Sequence, residues 1–519
     1  MDVDQGQLFV IDGDLTKIAC DAVLVPVDSR LAVTSTWVEF LGVDHAGFLD
    51  DHPRFPDGAR VMPYQPTLEP SGRASIWLGD IGRPGGVEDD WYADCLVQFI
   101  KHAGATLHEP GRSIPPRVAV NVAGSGRGGA SHDKGLLFMT IVPQIETAAR
   151  EHGVDVVLVC FGKQQYAAAQ RARLRTSADR LRRGSIPDRD ERLVEVAEVL
   201  ARWARQQELV LFIGAGVSMG AGLKSWAHLL ESLLEPVGGS TDPESFRALD
   251  FRDQAAIVAR RYETPEAYRD ALLANFDGGS KYSLTHGLLA SLYTRENVTT
   301  NYDTLFEDAV RTNNRRCAVL PYEAAKEQER WLLKLHGSIE KPDDIVLTRD
   351  DYLGLPERAG ALFGVLQAML MTRHMLFVGY SLTDDTFHQV MHEVRRARRG
   401  IDGTLGTALV LFRDELLEEL WGDVLEIVPM FDQPSPTDGS LNVAQAARQL
   451  EQVLDLTCLL AADVTSFLLD PTFASMLNDD ERQLSHLVGD ALAAARNSDS
   501  PIAERLVALL APLGDQFDS

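Results

Sequence analysis

The stretch LVLFIGAGVSMGAGLKSW, from Leu209 to Trp226, constrains the fold more than any other part of the chain. An apolar run of strand character passes directly into closely spaced glycines and then into a helical segment, a unit that belongs in an α/β architecture built on a parallel sheet. Gly214 and Gly216, with Ala215 between them, free the turn of side chains where backbone N–H groups can approach an anion. Ser218 is expected to cap the helix whose positive end faces that anion. Such a layout cradles a dinucleotide pyrophosphate. The spacing departs from the dehydrogenase fingerprint, because the third glycine stands at Gly220 rather than at Met219 and no acidic residue closes a clear second strand at the usual distance. For this segment alone, a tight strand-to-helix turn with no ligand is the plain alternative.

Three later segments repeat the pattern of a polar cluster just after an apolar strand-like run: TTNYDTLF (Thr299 to Phe306), KLHGS (Lys334 to Ser338) and LFVGYSLTDDTF (Leu376 to Phe387). In an open parallel sheet, loops at the carboxyl ends of the strands converge on one crevice. An uncharged amide such as Asn301 can orient a sugar hydroxyl or an attacking water without trapping a cationic carbon. An imidazole such as His336 can exchange a proton near neutral pH. Each has a structural alternative: a histidine bonded to backbone for His336, and an N-cap for Asp303 ahead of Thr304.

Taken in order, the four motifs resemble those of the sirtuin superfamily over roughly Leu193 to Pro429, and its bacterial NAD-hydrolysing branch more closely than its protein deacylases. The resemblance implies a Rossmann-like parallel sheet with NAD as substrate. His336, inside LHG, stands at the general-base position, Asn301, inside TNYD, at the position that orients water or ribose, and Asp303 beside the nicotinamide. It places Gly214, Ala215, Gly216, Ser218, Trp226, Gly379 and Ser381 against the cofactor, with Ser381 of GYSL near the adenosine ribose or phosphates. Deacylating sirtuins continue the glycine loop into a Pro-Asp-Phe-Arg run, where this chain has Lys224, Ser225, Trp226 and Ala227. The arginine is missing. So is the zinc module of the deacylases, since Cys20, Cys95, Cys160, Cys317 and Cys458 never form a CxxC pair. His388 and His392 share a helix face but lack the glutamate of an HExxH site, so no metal is expected.

Upstream, LFVIDGDLTKIACDAVLVPVD, RVAVNVAGSGRGGA and DVVLVCFG read as strands, and Leu136 to Arg150 as a helix, which implies a smaller three-layer α/β domain. Gly13-Asp14-Leu15-Thr16 with Asp21-Ala22-Val23 resembles the opening of a macrodomain, and Gly124-Ser125-Gly126 its second phosphate loop. That resemblance marks Asp14, Asp28, Gly124 and Gly126 as candidate ligand residues in this domain. Asp28 stands where hydrolytic macrodomains usually carry asparagine, and SRLAVTSTW replaces their first phosphate loop, which argues for sensing or structure rather than hydrolysis. Asp14 reads equally as a turn aspartate bonded to local N–H groups.

The expected organisation is a macrodomain-like domain over 1–165, an exposed arginine-rich connector over 166–187, a sirtuin-like domain over 188–435 and a helical C-terminal extension over 436–519. Within it, Leu193, Val196, Ala197, Leu200, Ala201 and Ala204 form one apolar helix face. With 50 basic against 76 acidic residues, the formal charge of −26 disfavours bulk nucleic-acid or anionic-membrane contact. No apolar run approaches the roughly 20 residues that span a bilayer, and the acidic N-terminus lacks a secretion layout, so a cytoplasmic location is expected. By resemblance, the chain is expected to be a regulated, homo-oligomeric NAD-depleting enzyme of bacterial antiviral defence, answering to an ADP-ribose-like or cyclic nucleotide activator. ADP-ribosyl transfer, deacylation and non-catalytic sensing are the rival readings.

Overall fold

The computed structural model describes residues 5–43, 47–49, 54–65, 74–82, 89–122, 133–184, 191–238, 242–276, 281–312, 315–325, 330–399, 403–433, 443–462 and 464–514. The chain divides into two compact units, one of residues 1–194 with 455–519 and one of residues 195–454. Each unit is built on its own sheet.

In the first unit the sheet comprises β1 (Leu8–Asp12), β2 (Ala22–Val27), β3 (Val61–Tyr64), β4 (Ser75–Asp80), β5 (Arg117–Asn121) and β6 (Asp155–Cys160), in the order β1-β6-β5-β2-β4-β3. All neighbours are parallel except the β3–β4 edge pair. Strands β1 and β6 are buried along their whole length, as continuous apolar runs covered on both faces should be. The helix Lys134–Glu151 falls where the apolar period places it.

Two parts of this unit differ from the sequence expectation. The arginine-rich stretch begins inside the helix Lys163–Gly184, where Tyr166, Ala168, Ala172 and Arg173 are fully buried. Arg173 is accommodated because Asp455 meets its guanidinium at 2.7 Å, while Gln170 Oε1 and the Leu8 carbonyl accept from its terminal nitrogens. Asp455 lies in the helix Val443–Ala461, and from that residue onward the tail belongs to this unit: Phe467, Phe473 and Met476 are buried, Phe473 against Phe138. Pro471 and Pro501 start new helical turns at their first positions, where a missing N–H costs nothing.

The second unit carries a fully parallel sheet of β7 (Leu209–Ile213), β8 (Glu296–Thr299), β9 (Cys317–Leu320), β10 (Arg330–Lys334), β11 (His374–Val378), β12 (Gly406–Phe412) and β13 (Leu425–Phe431). The order is β9-β10-β8-β7-β11-β12-β13. Chain direction across the sheet reverses at β7: β8 pairs on one side and β11 on the other, which makes the β7 carboxyl end the switch point where open α/β sheets take ligands. Beneath it, Phe212 packs against Phe377 and Tyr380, with ring centroids 5.1 and 4.5 Å away. The helix Glu191–Arg205 buries the face read from its sequence, from Leu193 to Ala204.

Among the described residues no helix is long and apolar enough to cross a membrane. No group of three or more His, Cys, Asp or Glu side chains among them is placed to hold a metal ion.

Candidate functional site

The four motifs follow β7, β8, β10 and β11, which are contiguous in the sheet, and hydrogen bonds tie their loops together. At the glycine turn, the Gly214 N–H donates to the Val378 carbonyl at 3.0 Å and the Gly216 N–H to the Gly379 carbonyl at 2.9 Å. A Cβ on Gly214 would stand 2.3 Å from the Gly379 oxygen, and Gly379 itself has φ of +65°. These glycines therefore let two loops pack backbone to backbone, and their N–H groups are occupied, a correction to the expectation that they face a phosphate. Ser218 is likewise not a cap. Gly214 is the N-cap of the short helix Ala215–Met219, and Ser218 lies buried within it.

Ser218 instead organises the polar residues of the site. Its hydroxyl donates to Asp303 Oδ2 at 2.8 Å and accepts from Asn301 Nδ2 at 3.1 Å. His286 Nε2 is 3.5 Å away, and His286 Nδ1 accepts from the Ser283 N–H, which puts the imidazole proton on Nε2. Burial lowers the His286 pKa to about 4, with Asp303 pulling it the other way. This histidine holds the network and closes a capping box with Ser283. Asp303 is fully engaged, since Oδ1 accepts from the Leu305 N–H at 3.1 Å.

Asn301 is held from both sides. Its Nδ2 also donates to the Gly214 carbonyl at 3.1 Å, and its N–H is taken by Thr299 Oγ1. Its Oδ1 is buried without a hydrogen-bond partner. A buried acceptor left open in this way is costly unless a ligand supplies a donor. His336 is similar: 2% exposed, with Nε2 buried and unpartnered, 3.6 Å from Asp384 Oδ2. Burial pushes its imidazole pKa down, against the upward pull of Asp384, so the neutral ring is favoured. An open amide oxygen and a neutral imidazole on adjoining loops can hold a hydroxyl and accept a proton.

Lys334 was not singled out by sequence reasoning, and it joins these two loops. Its buried ammonium donates to the carbonyls of Tyr302 (3.2 Å) and Asp303 (2.6 Å) and to Ser338 Oγ (3.3 Å). Glu307 balances it at 2.7 Å, where burial raises the carboxyl pKa against the pull of the lysine. A lysine closing the apolar run WLL was the available signal. Tyr352, from the helix Arg349–Thr372, packs edge-on to His336 at 5.3 Å and carried no such signal.

Trp226 follows the Ser225 cap and packs against Tyr302 and Phe251, at 5.6 and 5.7 Å, so it buttresses the Asn301 loop. Ser381 is exposed and shares a 2.7 Å hydrogen bond with Thr383. His388 Nε2 donates to the Leu382 carbonyl at 2.8 Å.

In the first unit, the candidate ligand residues are turn residues. Asp14 Oδ1 accepts from the N–H and hydroxyl of Thr16, and Asp28 Oδ1 from the N–H groups of Arg30 and Ala32. Gly124 and Gly126 lie outside the described residues.

The family described as SIR2-like domain matches residues 295–424, which include Asn301, Asp303, His336, Gly379 and Ser381. The chain is 28% identical over 199 residues to the NAD(+) hydrolase ThsA of Bacillus cereus (strain MSX-D12), covering 37% of this chain and 41% of that protein. It is 24% identical over 216 residues to Defense-associated sirtuin 2 of Bacillus subtilis, covering 40% and 21%. The match thus spans about two-fifths or less of the length of these relatives. A solved macrodomain mutant from Oceanobacillus iheyensis aligns over 33% of this chain and 93% of its own, at a TM-score of 0.24 and 13% identity. That slight likeness adds nothing to the topology already given.

Proposed function

We propose that this chain, whose residues 295–424 match the family described as SIR2-like domain, is an NAD hydrolase that splits the nicotinamide–ribose bond. The open Asn301 Oδ1, fixed by two bonds from its own amide nitrogen beside a buried neutral imidazole, carries this reading. Water adds to the ribose C1′, the C–N bond breaks with its electron pair passing to the nicotinamide ring, and the water's proton passes to His336. The products are nicotinamide, ADP-ribose and a proton. Because the amide is uncharged, it can accept from a ribose hydroxyl or the water without capturing the oxocarbenium-like carbon. Asp303 acts through Ser218 to hold that amide. The cofactor would meet the loops of Ala215, Trp226, Gly379 and Ser381, with exposed Ser381 at its adenosine side.

Support comes from relatives named as NAD(+) hydrolases and as a defence sirtuin. The reading extends to a regulated, homo-oligomeric, cytoplasmic effector that depletes NAD after infection. Its macrodomain-like segment, 1–165, would sense an ADP-ribose-like or cyclic nucleotide, and a catalytic segment over 188–435 would turn NAD over. The experiment is nicotinamide release from NAD by the purified protein, with and without such nucleotides, alongside His336→Ala and Asn301→Ala. Release without an acceptor supports hydrolysis. Release only with a protein acceptor would replace it by transfer, and tight binding without turnover by sensing.

A further inference from the structure

Asp384 stands where the loop after β11 enters the helix Asp385–Ala397. Its sequence position suggests a cap, and one oxygen does that work: Oδ1 accepts from the N–H groups of Thr386 (3.0 Å) and Phe387 (3.1 Å). The other oxygen has a role a cap does not need. Oδ2 accepts from the Tyr352 hydroxyl at 3.3 Å and faces His336 Nε2 at 3.6 Å, a nitrogen with no other polar partner in bonding range. Two N–H bonds to Oδ1 leave the carboxylate little freedom, so Oδ2 is set in place before any ligand arrives. Tyr352 fixes the ring from its edge. The neighbouring Asp385 does not compete, because it pairs with Arg252.

We propose that Asp384 is the positioning residue of His336: Oδ2 receives the Nε2 proton of the imidazole, fixes that tautomer, and leaves Nδ1 as the nitrogen that takes a proton during the reaction. The role rests on the NAD-hydrolysis reading for the step it serves, while the pairing itself stands on the geometry. A 3.6 Å separation becomes a hydrogen bond on closing by roughly 0.6 Å, a tightening common when such sites bind substrate. The neutral hydroxyls of Tyr302, Tyr352 and Tyr380, all pushed up by burial, surround the pair. Arg252, stacked 5.5 Å from the Tyr352 ring, is balanced by Asp250 and Asp385. Asp384 is thus the carboxylate that sets the charge felt by His336.

The test uses the full chain with Asp384→Asn, which keeps an N-capping side chain and removes the charge. Imidazole 15N shifts, with His336 assigned by its loss in His336→Gln, read the ring directly. The expected result is a wild-type ring protonated on Nε2 and a His336 titration midpoint lowered by about one pH unit or more in Asp384→Asn. A ring protonated on Nδ1, or a midpoint unmoved by the substitution, overturns the pairing. In nicotinamide release, the acidic limb of the kcat profile shifts to lower pH by the same amount and kcat falls about tenfold with KM little changed. A profile that keeps its limb while the shifts move confines Asp384 to structure. If no variant and no wild-type sample releases nicotinamide, the hydrolysis reading fails, and the 15N result still decides the pairing.

Discussion

At the end of β2, Asp28 accepts from the N–H groups of its own turn, and after β1 Asp14 accepts from the N–H and hydroxyl of Thr16. At the end of β8, Asn301 is pinned by its amide nitrogen yet keeps a buried oxygen open, and at the end of β10, buried His336 Nε2 makes no hydrogen bond and faces Asp384 Oδ2 at 3.6 Å. The two sheets place polar residues at equivalent positions and use them differently. In the first unit, buried polar groups serve folding, down to the ion pair of Arg173 with Asp455. In the second, the groups left unsatisfied are held rigidly by satisfied ones: Ser218, Asp303, His286 and Lys334. Residual hydrogen-bonding capacity, rather than residue type, separates a reactive strand end from a structural one.

The largest expected effect tests the structural side of that contrast. Asp455→Ala strands the Arg173 charge in the first unit and should cost about 3–5 kcal/mol in chemical denaturation of the full chain, whereas replacing both partners by apolar residues recovers most of the loss. A cost below about 1 kcal/mol would mean that the pair does not hold the tail to β1. Next, Asn301→Ala and His336→Ala should each lower nicotinamide release by a factor of about 100 or more, about 2.7 kcal/mol in the barrier, with thermal unfolding little changed. Equal losses of stability and activity would erase the distinction between the two sheets.

A pH effect of middle size isolates His286. Its folded pKa, about 4, lies below the roughly 6.5 of an unfolded histidine, so its contribution to stability is intact above 6.5 and falls as the pH drops from there toward 4. His286→Gln keeps a side chain suited to the capping box and lacks that proton. Between pH 6 and 4.5 its stability should decline less steeply than that of wild type, by up to about 1.4 kcal/mol per pH unit. Parallel curves would show that His286 takes up its proton alike in the folded and the unfolded chain. The smallest effect belongs to Asp14→Ala, expected to cost about 1 kcal/mol in unfolding, as loss of a local turn bond. If nucleotide-stimulated turnover disappeared while stability stayed intact, the first sheet would also have a reactive strand end, and the comparison would break there.

Much of this was legible in the sequence, because a parallel α/β sheet translates linear order into position. The apolar runs gave the strands, and the clusters after them, Asn301, His336 and Gly379, had to gather at one edge. Contacts made by residues far apart in the chain were not legible. Gly214 looked like a phosphate turn, and the loop of Gly379 that fills the space beside it enters the sheet more than 150 residues later. Ser218 looked like a cap because its inward rotation depends on Asp303 and Asn301. The arginines after Gln170 read as solvated because the partner of Arg173 is Asp455. Asp384 as a cap was half of its role, and the other half required His336 to be beside it.

The most direct measurement is a crystal structure of the full chain carrying His336→Ala with NAD bound. The account predicts the dinucleotide across the β7 carboxyl end, with its nicotinamide riboside at Asn301 Oδ1 and the space vacated by the imidazole. NAD bound elsewhere, with Asn301 Oδ1 meeting no ligand atom, would contradict it.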